Sequence, residues 1–448
     1  MRKSILSIIL IIVLALPGLA QKKLSNETPA QKSKRMEWWT DARFGMFIHW
    51  GLYASPARHE WVQSKERIKV EDYKKYFDQF NPDQFNPKEW AKEAKAAGMK
   101  YAVLTTKHHE GFTLFDSKYT DYKATNTQAK RDLVKEFVEA FRAEGIKVGF
   151  YYSLIDWHHP DFTVDMHHPL RPGKGSEEQY EVLNKNRDMA KYRKYLYDQV
   201  TELLTKYGKI DILWADFSYP GKYGKGRDDW GSVALLKQIR KLQPQIIVDN
   251  RLDLNDYEDG TDFETPEQVG TNELEKYRGK IWETCQTFSG SWGYYRDENT
   301  WKSNRQLLDL LITSVANGGN LLLNVGPTAR GEFDHRAITA LDSLGLWMHA
   351  NSKSIYHCTF APPEFNVPEG VKLTYNKDKR KIYLHLFEYP TSGSLVLKDY
   401  KDKVKYAQFL HDNSELQIDP EKSTGKNIVL KLPLKKPGFE IPVIELTL

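Results

Sequence analysis

The chain has 448 residues, 40% of them hydrophobic and 28% charged, a balance typical of a soluble protein with one large domain and a smaller one. The formal net charge of +5 is spread along the chain without a basic block or a basic-aromatic repeat, which argues against a nucleic-acid partner. The aromatic fraction of 13% suits a protein that presents flat apolar faces with polar tips to a ligand such as a sugar, although a large core has the same composition.

The N-terminus has the pattern of a secretory signal. The basic residues Arg2 and Lys3 are followed by a mostly apolar run over residues 4–16 and by small residues up to Ala20. This pattern predicts a signal peptide over residues 1–20 and an exported protein, periplasmic or extracellular. Residues 21–34 are polar, and we expect a flexible N-terminal segment there. No later segment approaches about 18 apolar residues, so we expect no stable membrane insertion after cleavage.

The remaining chain alternates strands and helices up to about residue 355. Predicted strands cover residues 44–50, 101–107, 147–153, 210–217, 246–251, 280–288 and 320–325. Predicted helices cover residues 87–97, 133–143, 177–207, 233–242, 304–316 and 336–348. Repeated strand–helix alternation indicates a parallel sheet. Seven or eight such units favour a (β/α)8-like barrel over residues 35–355, and the lack of a Gly-x-Gly-x-x-Gly motif after the first strand argues against a dinucleotide-binding fold.

The pattern changes near residue 362. Short strand-like runs separated by Pro, Gly and Asn turns predict a small antiparallel β-sandwich over residues 362–448. The two cysteines, Cys285 and Cys358, have apolar or aromatic neighbours, so we expect both thiols to be free and buried.

A buried strand over residues 210–217 ends in a carboxylate. Ile212, Trp214 and Asp216 share one face of this strand, because alternate residues point the same way. A carboxylate is costly to bury without partners, so it is better placed where a strand opens into a cleft. Asp216 is therefore our candidate nucleophile and Trp214 a wall beside it, although an Asp that caps a loop would look the same.

Polar and aromatic residues also follow the other predicted strands at the same end. The ends of the strands carry His49, His108-His109, Tyr151-Tyr152, Arg251 and, beyond the sixth strand, Trp292. In a barrel, the carboxyl ends of the strands form the active site. Each residue has an ordinary alternative as well: a lone His or Trp is often packed in a core, and an Arg often pairs with a structural carboxylate.

These residues lie within motifs that resemble the α-L-fucosidases of glycoside hydrolase family 29. The motifs are residues 43–53 (RFGMFIHWGLY), Glu60-Trp61, 104–112 (LTTKHHEGF), 151–157 (YYSLIDW), 213–216 (LWAD), 282–285 (WETC), 291–294 (SWGY) and 317–327 (NGGNLLLNVGP). They span residues 36–350 in a specific order. The resemblance implies a (β/α)8-like barrel with a C-terminal β-sandwich, in agreement with the alternation pattern.

The resemblance also implies roles for individual residues. Asp216 is the expected nucleophile. The residues expected to bind fucose are His49, Glu60, His108, His109, Tyr152, Trp214, Arg251 and Trp292. We choose Tyr152 over Tyr151 because Tyr152 shares a strand face with Val148 and Phe150, which we place in the barrel interior.

The acid/base residue lies in a variable part of the family pattern. Because the family commonly carries a Thr-x-Glu sequence there, the resemblance implies Glu267, with Glu264 as the nearest rival and Glu283 as a more distant one. Two positions depart from the family: Glu110 stands where Asp is commoner, and Phe217 stands where a glycine often follows the nucleophile. The second departure affects how tightly that loop turns.

The expected reaction is hydrolysis of a terminal α-L-fucoside of a glycan with retention, by two carboxylates about 5–5.5 Å apart and with no metal or cofactor. Three alternatives stay open. A metal-dependent hydrolase would use His49, His108, His109 and Asp216 as ligands. A fucose-binding lectin would keep the pocket without catalysis, and a related glycosidase would act on a similar sugar such as α-L-galactose.

Overall fold

The computed structural model describes residues 22–448, so the predicted signal peptide lies outside the described residues. The flexible segment predicted for residues 21–34 is corrected over its described part. Backbone N–H groups of Leu24 and Ser25 donate to Asp259, at 2.7 and 2.6 Å. The first helix begins at Pro29, where Thr28 and Gln31 form a reciprocal capping box. The capped helix and these long-range hydrogen bonds outweigh the polar composition of the segment.

Seven parallel strands form the main sheet. They are β1 (Phe44–Ile48), β2 (Tyr101–Lys107), β3 (Lys147–Ser153), β4 (Ile212–Asp216), β5 (Ile247–Val248), β6 (Glu283–Thr287) and β7 (Asn320–Val325). The strand order is β5-β4-β3-β2-β1-β7-β6. All neighbouring pairs are parallel, so their carboxyl ends meet at one rim.

An irregular segment bridges the two edge strands. Residues 263–267 make isolated parallel bridges to Asp249, just after β5, and to Trp282 and Cys285 of the β6 region. We call residues 263–267 the closing segment. It takes the place of an eighth strand, which explains why only seven clear strands are predicted in a (β/α)8-like pattern.

Eleven α-helices occur between residues 22 and 448, and most of them cover the outside of the sheet. They are α1 (Pro29–Ala42), α2 (Val62–Lys65), α3 (Val70–Asp78), α4 (Pro87–Ala96), α5 (Leu133–Ala143), α6 (Gln179–Asn184), α7 (Met189–Lys206), α8 (Arg227–Trp230), α9 (Ser232–Leu242), α10 (Asn304–Ala316) and α11 (His335–Asn351). Within residues 22–448, no helix is long and apolar enough to cross a membrane.

The strands are buried on both faces, and the two faces differ in composition. The inner cluster is aromatic-rich and includes Phe47, Tyr101, Tyr151 and Trp214. The outer face packs aliphatic and aromatic side chains against the helices. Nearly every strand residue is buried, so hydrophobicity alone does not distinguish inside from outside.

The C-terminal part forms two small antiparallel sheets. One contains β8 (Val371–Asn376), β9 (Lys381–Leu386), β11 (Tyr406–Phe409) and β13 (Val443–Thr447), and the other contains β10 (Ser394–Leu397) and β12 (Ile428–Lys431). They share a core of their own. The Trp347 indole of α11 donates to the Ile441 carbonyl at 2.9 Å, so the sandwich packs on the barrel helices. The predicted barrel and sandwich are confirmed, and Cys285 and Cys358 are free and buried as predicted.

Candidate active site

A cavity of about 680 Å³ opens at the carboxyl ends of the strands. Its walls come from several strand ends and from the loops that follow them. The lining includes Phe47, His49, Glu60, Trp61, His108, His109, Tyr151, Trp214, Asp216, Phe217, Arg251, Glu267, Gln268, Cys285, Ser289, Trp292, Thr300 and Lys302. Nine of the ten predicted catalytic and sugar-binding residues lie in this cavity, and Tyr152 is the exception.

Asp216 ends β4 and is 7% exposed. The Tyr151 hydroxyl donates to its Oδ2 at 2.6 Å, and Arg251 Nη1 donates to its Oδ1 at 2.8 Å. His109 Nε2 lies 3.8 Å from Oδ2. The carboxylate is therefore oriented by one neutral and one charged donor, which suits a fixed nucleophile.

The residue after Asp216 adopts an unusual backbone conformation. Phe217 has φ of 87°, in the region where a glycine carries no steric cost. A non-glycine residue in this conformation carries a backbone cost of about 1–2 kcal/mol. The Phe217 ring contacts Trp61 and His109, with ring centroids 5.2 and 5.1 Å apart, and this packing offsets the cost.

Arg251 joins Asp216 to Glu267. Its Nη2 donates to Glu267 Oε2 at 2.7 Å, while Nη1 holds Asp216 and Nε donates to the Thr265 hydroxyl at 3.0 Å. The guanidinium carbon lies 4.5 Å from the Trp214 ring centroid. Arg251 therefore binds both carboxylates, one on each terminal nitrogen of its guanidinium, in the same cavity.

The rival glutamates lie elsewhere. Glu264 Oε1 and Oε2 pair with Lys280 at 3.0 and 3.1 Å, outside the cavity lining. Glu283 is fully buried in the barrel interior, where the Tyr101 hydroxyl donates to it. Burial raises the pKa of Glu283 to about 8, although the hydrogen bond from Tyr101 opposes this rise. The geometry therefore favours Glu267 as the second carboxylate.

The prediction of Tyr152 as a pocket residue is wrong. Its hydroxyl donates to Gln199 of α7 at 2.8 Å, on the outer face of the sheet. Tyr151 lines the cavity instead and binds Asp216. Val148 and Phe150, which guided the choice, belong to the apolar layer between sheet and helices, so they mark the outside of the barrel. No local signal in the sequence separates the two adjacent tyrosines.

The three predicted histidines are buried around the floor of the cavity. His49 Nδ1 contacts Asn324 Oδ1 at 2.6 Å, and His109 Nδ1 contacts the Ser153 hydroxyl at 2.7 Å. Burial, followed by the neighbouring His108, lowers the pKa of both His49 and His109 well below the usual value. Neutral imidazoles offer both a donor and an acceptor, as sugar hydroxyls require.

Glu60 supports the loop that carries Trp292. Its Oε2 accepts the backbone N–H groups of Trp292 and Gly293 at 3.1 and 3.0 Å. The ring centroids of Trp292 and His49 lie 5.1 Å apart, and the Trp292 ring forms a flat wall of the cavity. The pairing of Glu60 with this loop was not visible in the sequence, because the two segments are more than 230 residues apart.

Metal ligation was the alternative for His49, His108, His109 and Asp216. Across residues 22–448, no group of three or more His, Cys, Asp or Glu side chains is arranged to hold a metal ion. The hydrogen bonds of His49 and His109 to Asn324 and Ser153 occupy one nitrogen of each ring.

Comparison with known proteins agrees with this geometry. The family model described as alpha-L-fucosidase matches residues 15–353. The plasma alpha-L-fucosidase of Rattus norvegicus is 32% identical over 387 residues, which is 80% of this chain and 79% of that protein.

Two solved structures extend the likeness. Alpha-L-fucosidase isoenzyme 1 from Paenibacillus thiaminolyticus has 43% identity and a TM-score of 0.83, covering 93% of this chain and 99% of its own. A GH29 alpha-L-fucosidase from Bacteroides thetaiotaomicron, a covalent intermediate trapped with 2-fluoro-fucosyl fluoride in a glutamate-to-glutamine mutant, has 30% identity and a TM-score of 0.81. It covers 96% of this chain and 99% of its own. The chain therefore belongs to the α-L-fucosidases of glycoside hydrolase family 29, which are hydrolases of α-L-fucosides.

Proposed function

We propose that this chain is an exported enzyme that removes terminal α-L-fucose from fucosylated glycans with retention, through a glycosyl-enzyme on Asp216. The observation that carries the proposal is the shared guanidinium of Arg251, which places Asp216 and Glu267 in one cavity. The trapped covalent intermediate in the relative from Bacteroides thetaiotaomicron supports a two-step reaction, and its glutamate-to-glutamine change supports a glutamate as the second residue.

In the first step, Asp216 attacks the anomeric carbon as the glycosidic C–O bond breaks. Glu267 gives its proton to the leaving oxygen. In the second step, Glu267 takes a proton from water, the water oxygen attacks the anomeric carbon, and Asp216 leaves as a carboxylate. Two inversions give retention.

Glu267 must exchange its partner before it can act as an acid. In this structure its side chain is 42% exposed and is ion-paired with Arg251 at 2.7 Å. General-acid catalysis needs this carboxyl to reach the leaving oxygen, whereas here it accepts from Arg251. We infer that a bound sugar competes for Arg251 and excludes water around Glu267.

The test is release of a phenol from an aryl α-L-fucoside by wild type, Asp216→Ala and Glu267→Ala. We expect kcat/KM of Asp216→Ala to fall by about a thousandfold or more, because no nucleophile remains. We expect azide to restore turnover to Glu267→Ala, since an activated phenol leaves without a proton and the small anion replaces the activated water. The product should then be a fucosyl azide of the α configuration, because azide attacks the glycosyl-enzyme on Asp216 and two inversions give retention.

Glu264→Ala is the control, because Glu264 lies outside the cavity lining and should leave turnover unchanged. If Glu264→Ala or Glu283→Gln shows the azide rescue instead, the acid/base assignment is wrong. A wild type that binds fucose but hydrolyses neither aryl fucosides nor fucosylated oligosaccharides would favour the lectin alternative.

A further inference from the structure

The cavity continues beyond the two carboxylates. Its volume of about 680 Å³ is in the range of sites for drug-sized ligands, ~300–1,000 Å³, and exceeds what one monosaccharide needs. The part around His49, Trp214 and Asp216 suits the fucose. The part next to Glu267 is lined by Gln268, Ser289, Gly290, Thr300 and Lys302. The leaving group must lie on this second side, because Glu267 gives its proton to the leaving oxygen.

A short chain of contacts links Lys302 to the segment that carries the acid/base residue. Glu267 pairs with Cys285 in the bridge between the closing segment and β6. Gln268, the next residue, donates from its side chain to the Thr287 hydroxyl at 2.8 Å. Lys302 Nζ donates to the Thr287 carbonyl at 2.7 Å. Lys302 and Gln268 therefore meet at one residue of β6.

Lys302 has no ion-pair partner among the described residues. Its ammonium has three donors, and the Thr287 carbonyl accepts one of them. No carboxylate in the 22–448 region forms an ion pair with it, whereas Lys280, which precedes β6, is paired with Glu264. The side chain is half-buried, and burial lowers the pKa of Lys302 while Glu298 partly opposes this. Two donors remain for a ligand.

Terminal fucose carries no ionised group, so it does not need this lysine. We propose that Lys302 forms a subsite for an anionic oxygen group, a carboxylate or a sulfate, on the residue to which fucose is attached. The enzyme then prefers fucosides whose leaving group is acidic. This inference rests on the proposed function, since it places the leaving group beside Glu267. A half-buried ammonium that meets an anion forms a charge-assisted hydrogen bond, which is stronger than a bond to a neutral acceptor.

The experiment compares matched pairs of aryl α-L-fucosides. One pair has a 4-carboxyphenyl or a 4-carbamoylphenyl leaving group, and the other has a 4-sulfophenyl or a 4-sulfamoylphenyl leaving group. The measured quantity is the ratio of kcat/KM for the charged and the neutral member of each pair. Comparison of this ratio between wild type and Lys302→Gln cancels the intrinsic reactivity of each phenol and any general damage to the fold.

We expect the ratio to fall about tenfold in Lys302→Gln for at least one pair, as loss of a charge-assisted hydrogen bond implies. The pair that responds identifies the carboxylate or the sulfate as the preferred group. High salt should lower the ratio in wild type and leave it unchanged in the variant. Lys280→Gln is the matched control, because Lys280 lies outside the cavity lining, and its ratio should equal that of wild type.

If the charged-to-neutral ratio of kcat/KM is unchanged in Lys302→Gln for both pairs, the proposal is wrong. The role of Lys302 is then only to donate a hydrogen bond to the Thr287 carbonyl. The affinity of an inactive variant for the charged substrates is an independent measurement. Asp216→Ala, which cannot turn the substrates over, should bind the charged member more tightly than Asp216→Ala/Lys302→Gln does, measured by calorimetry. Failure of wild type to hydrolyse any of the four fucosides contradicts the proposed function, whereas equal binding by the two variants contradicts only the role of Lys302.

Discussion

At the scale of single residues, the adjacent tyrosines Tyr151 and Tyr152 have different roles because they lie on opposite faces of the sheet. The Tyr151 hydroxyl donates to Asp216, and the Tyr152 hydroxyl donates to Gln199 on the other face of the sheet. The alternation of a strand makes this division unavoidable.

Tyr151→Phe should lower kcat/KM for an aryl α-L-fucoside by about tenfold, because the nucleophile loses one of its two orienting donors. Tyr152→Phe is the matched control. It should keep the turnover of wild type and lower the unfolding free energy by about 1 kcal/mol, since Gln199 loses a partner. Steady-state kinetics and urea unfolding measure the two effects. Equal kinetic losses in both variants would contradict the division of roles.

Glu283 gives a second prediction at this scale. Its pKa is raised to about 8 by burial, so it is neutral in the folded protein and ionised in the unfolded chain between about pH 4.5 and 8. The unfolded state therefore gains relative stability as pH rises through this window. Glu283→Gln stays neutral in both states. The stability difference between variant and wild type should shift in favour of the variant from pH 4.5 to 8, as thermal unfolding at several pH values will test.

At the scale of elements, side-chain contacts anchor the start of the closing segment. It follows Asp262, whose carboxylate accepts from Arg35 at 2.7 Å and from the backbone N–H of Val248 at 2.8 Å, with Arg240 as a further partner. Asp262 is 4% exposed, and its partners come from α1, α9 and β5. A buried carboxylate thus joins the first helix, the edge strand and the segment that carries Glu267.

Asp262→Ala should lower the unfolding free energy by about 3 kcal/mol, because it leaves Arg35 and Arg240 without their buried partner. It should also lower kcat for an aryl fucoside, since the closing segment loses an anchor. Asp256→Ala is the control, as that exposed carboxylate pairs with Arg227 at the surface and should change stability little. Urea unfolding measures the free energy of unfolding of both variants. Equal values for Asp262→Ala and Asp256→Ala would contradict this role.

At the scale of the whole molecule, several buried histidines tie stability to pH. Burial lowers the pKa of His168 and of His385 to about 3, with Arg187 and Lys372 as the next causes, and burial also lowers that of His49 and His109. These rings stay neutral in the folded protein, while those of the unfolded chain take up protons below about pH 6.5. The unfolded state then binds more protons, so stability falls as pH decreases from 6.5 towards 3.

His385→Gln should make this acid dependence shallower, by about 2 kcal/mol of unfolding free energy at pH 5 relative to pH 7. His385 is buried in the sandwich, where it contacts Thr374 at 3.0 Å, so the effect is far from the active site. His335→Gln is the control, because that side chain is 89% exposed. The test is the change of melting temperature between pH 7 and pH 5. The same change in wild type and both variants would show that His385 does not contribute to the acid dependence.

The sequence by itself determined the order of strands and helices, the change to a sandwich and the chemistry at the strand ends. Helices that end before apolar runs, and polar groups that follow those runs, are local patterns, so they can be read without the fold. The positions of Asp216, His49, His108 and Arg251 in one cavity follow from the rule that parallel strands end at a common rim.

Only the tertiary structure decided which tyrosine faces the cavity, which glutamate meets Arg251 and how the barrel closes. A barrel strand is buried on both faces, so the apolar neighbours of Tyr151 and Tyr152 look alike in sequence. Glu264 and Glu267 are three residues apart in an irregular segment with no period to orient them. Glu264 pairs with Lys280 at the surface, and Glu267 pairs with Arg251 in the active site. Folding alone brings each glutamate to its partner.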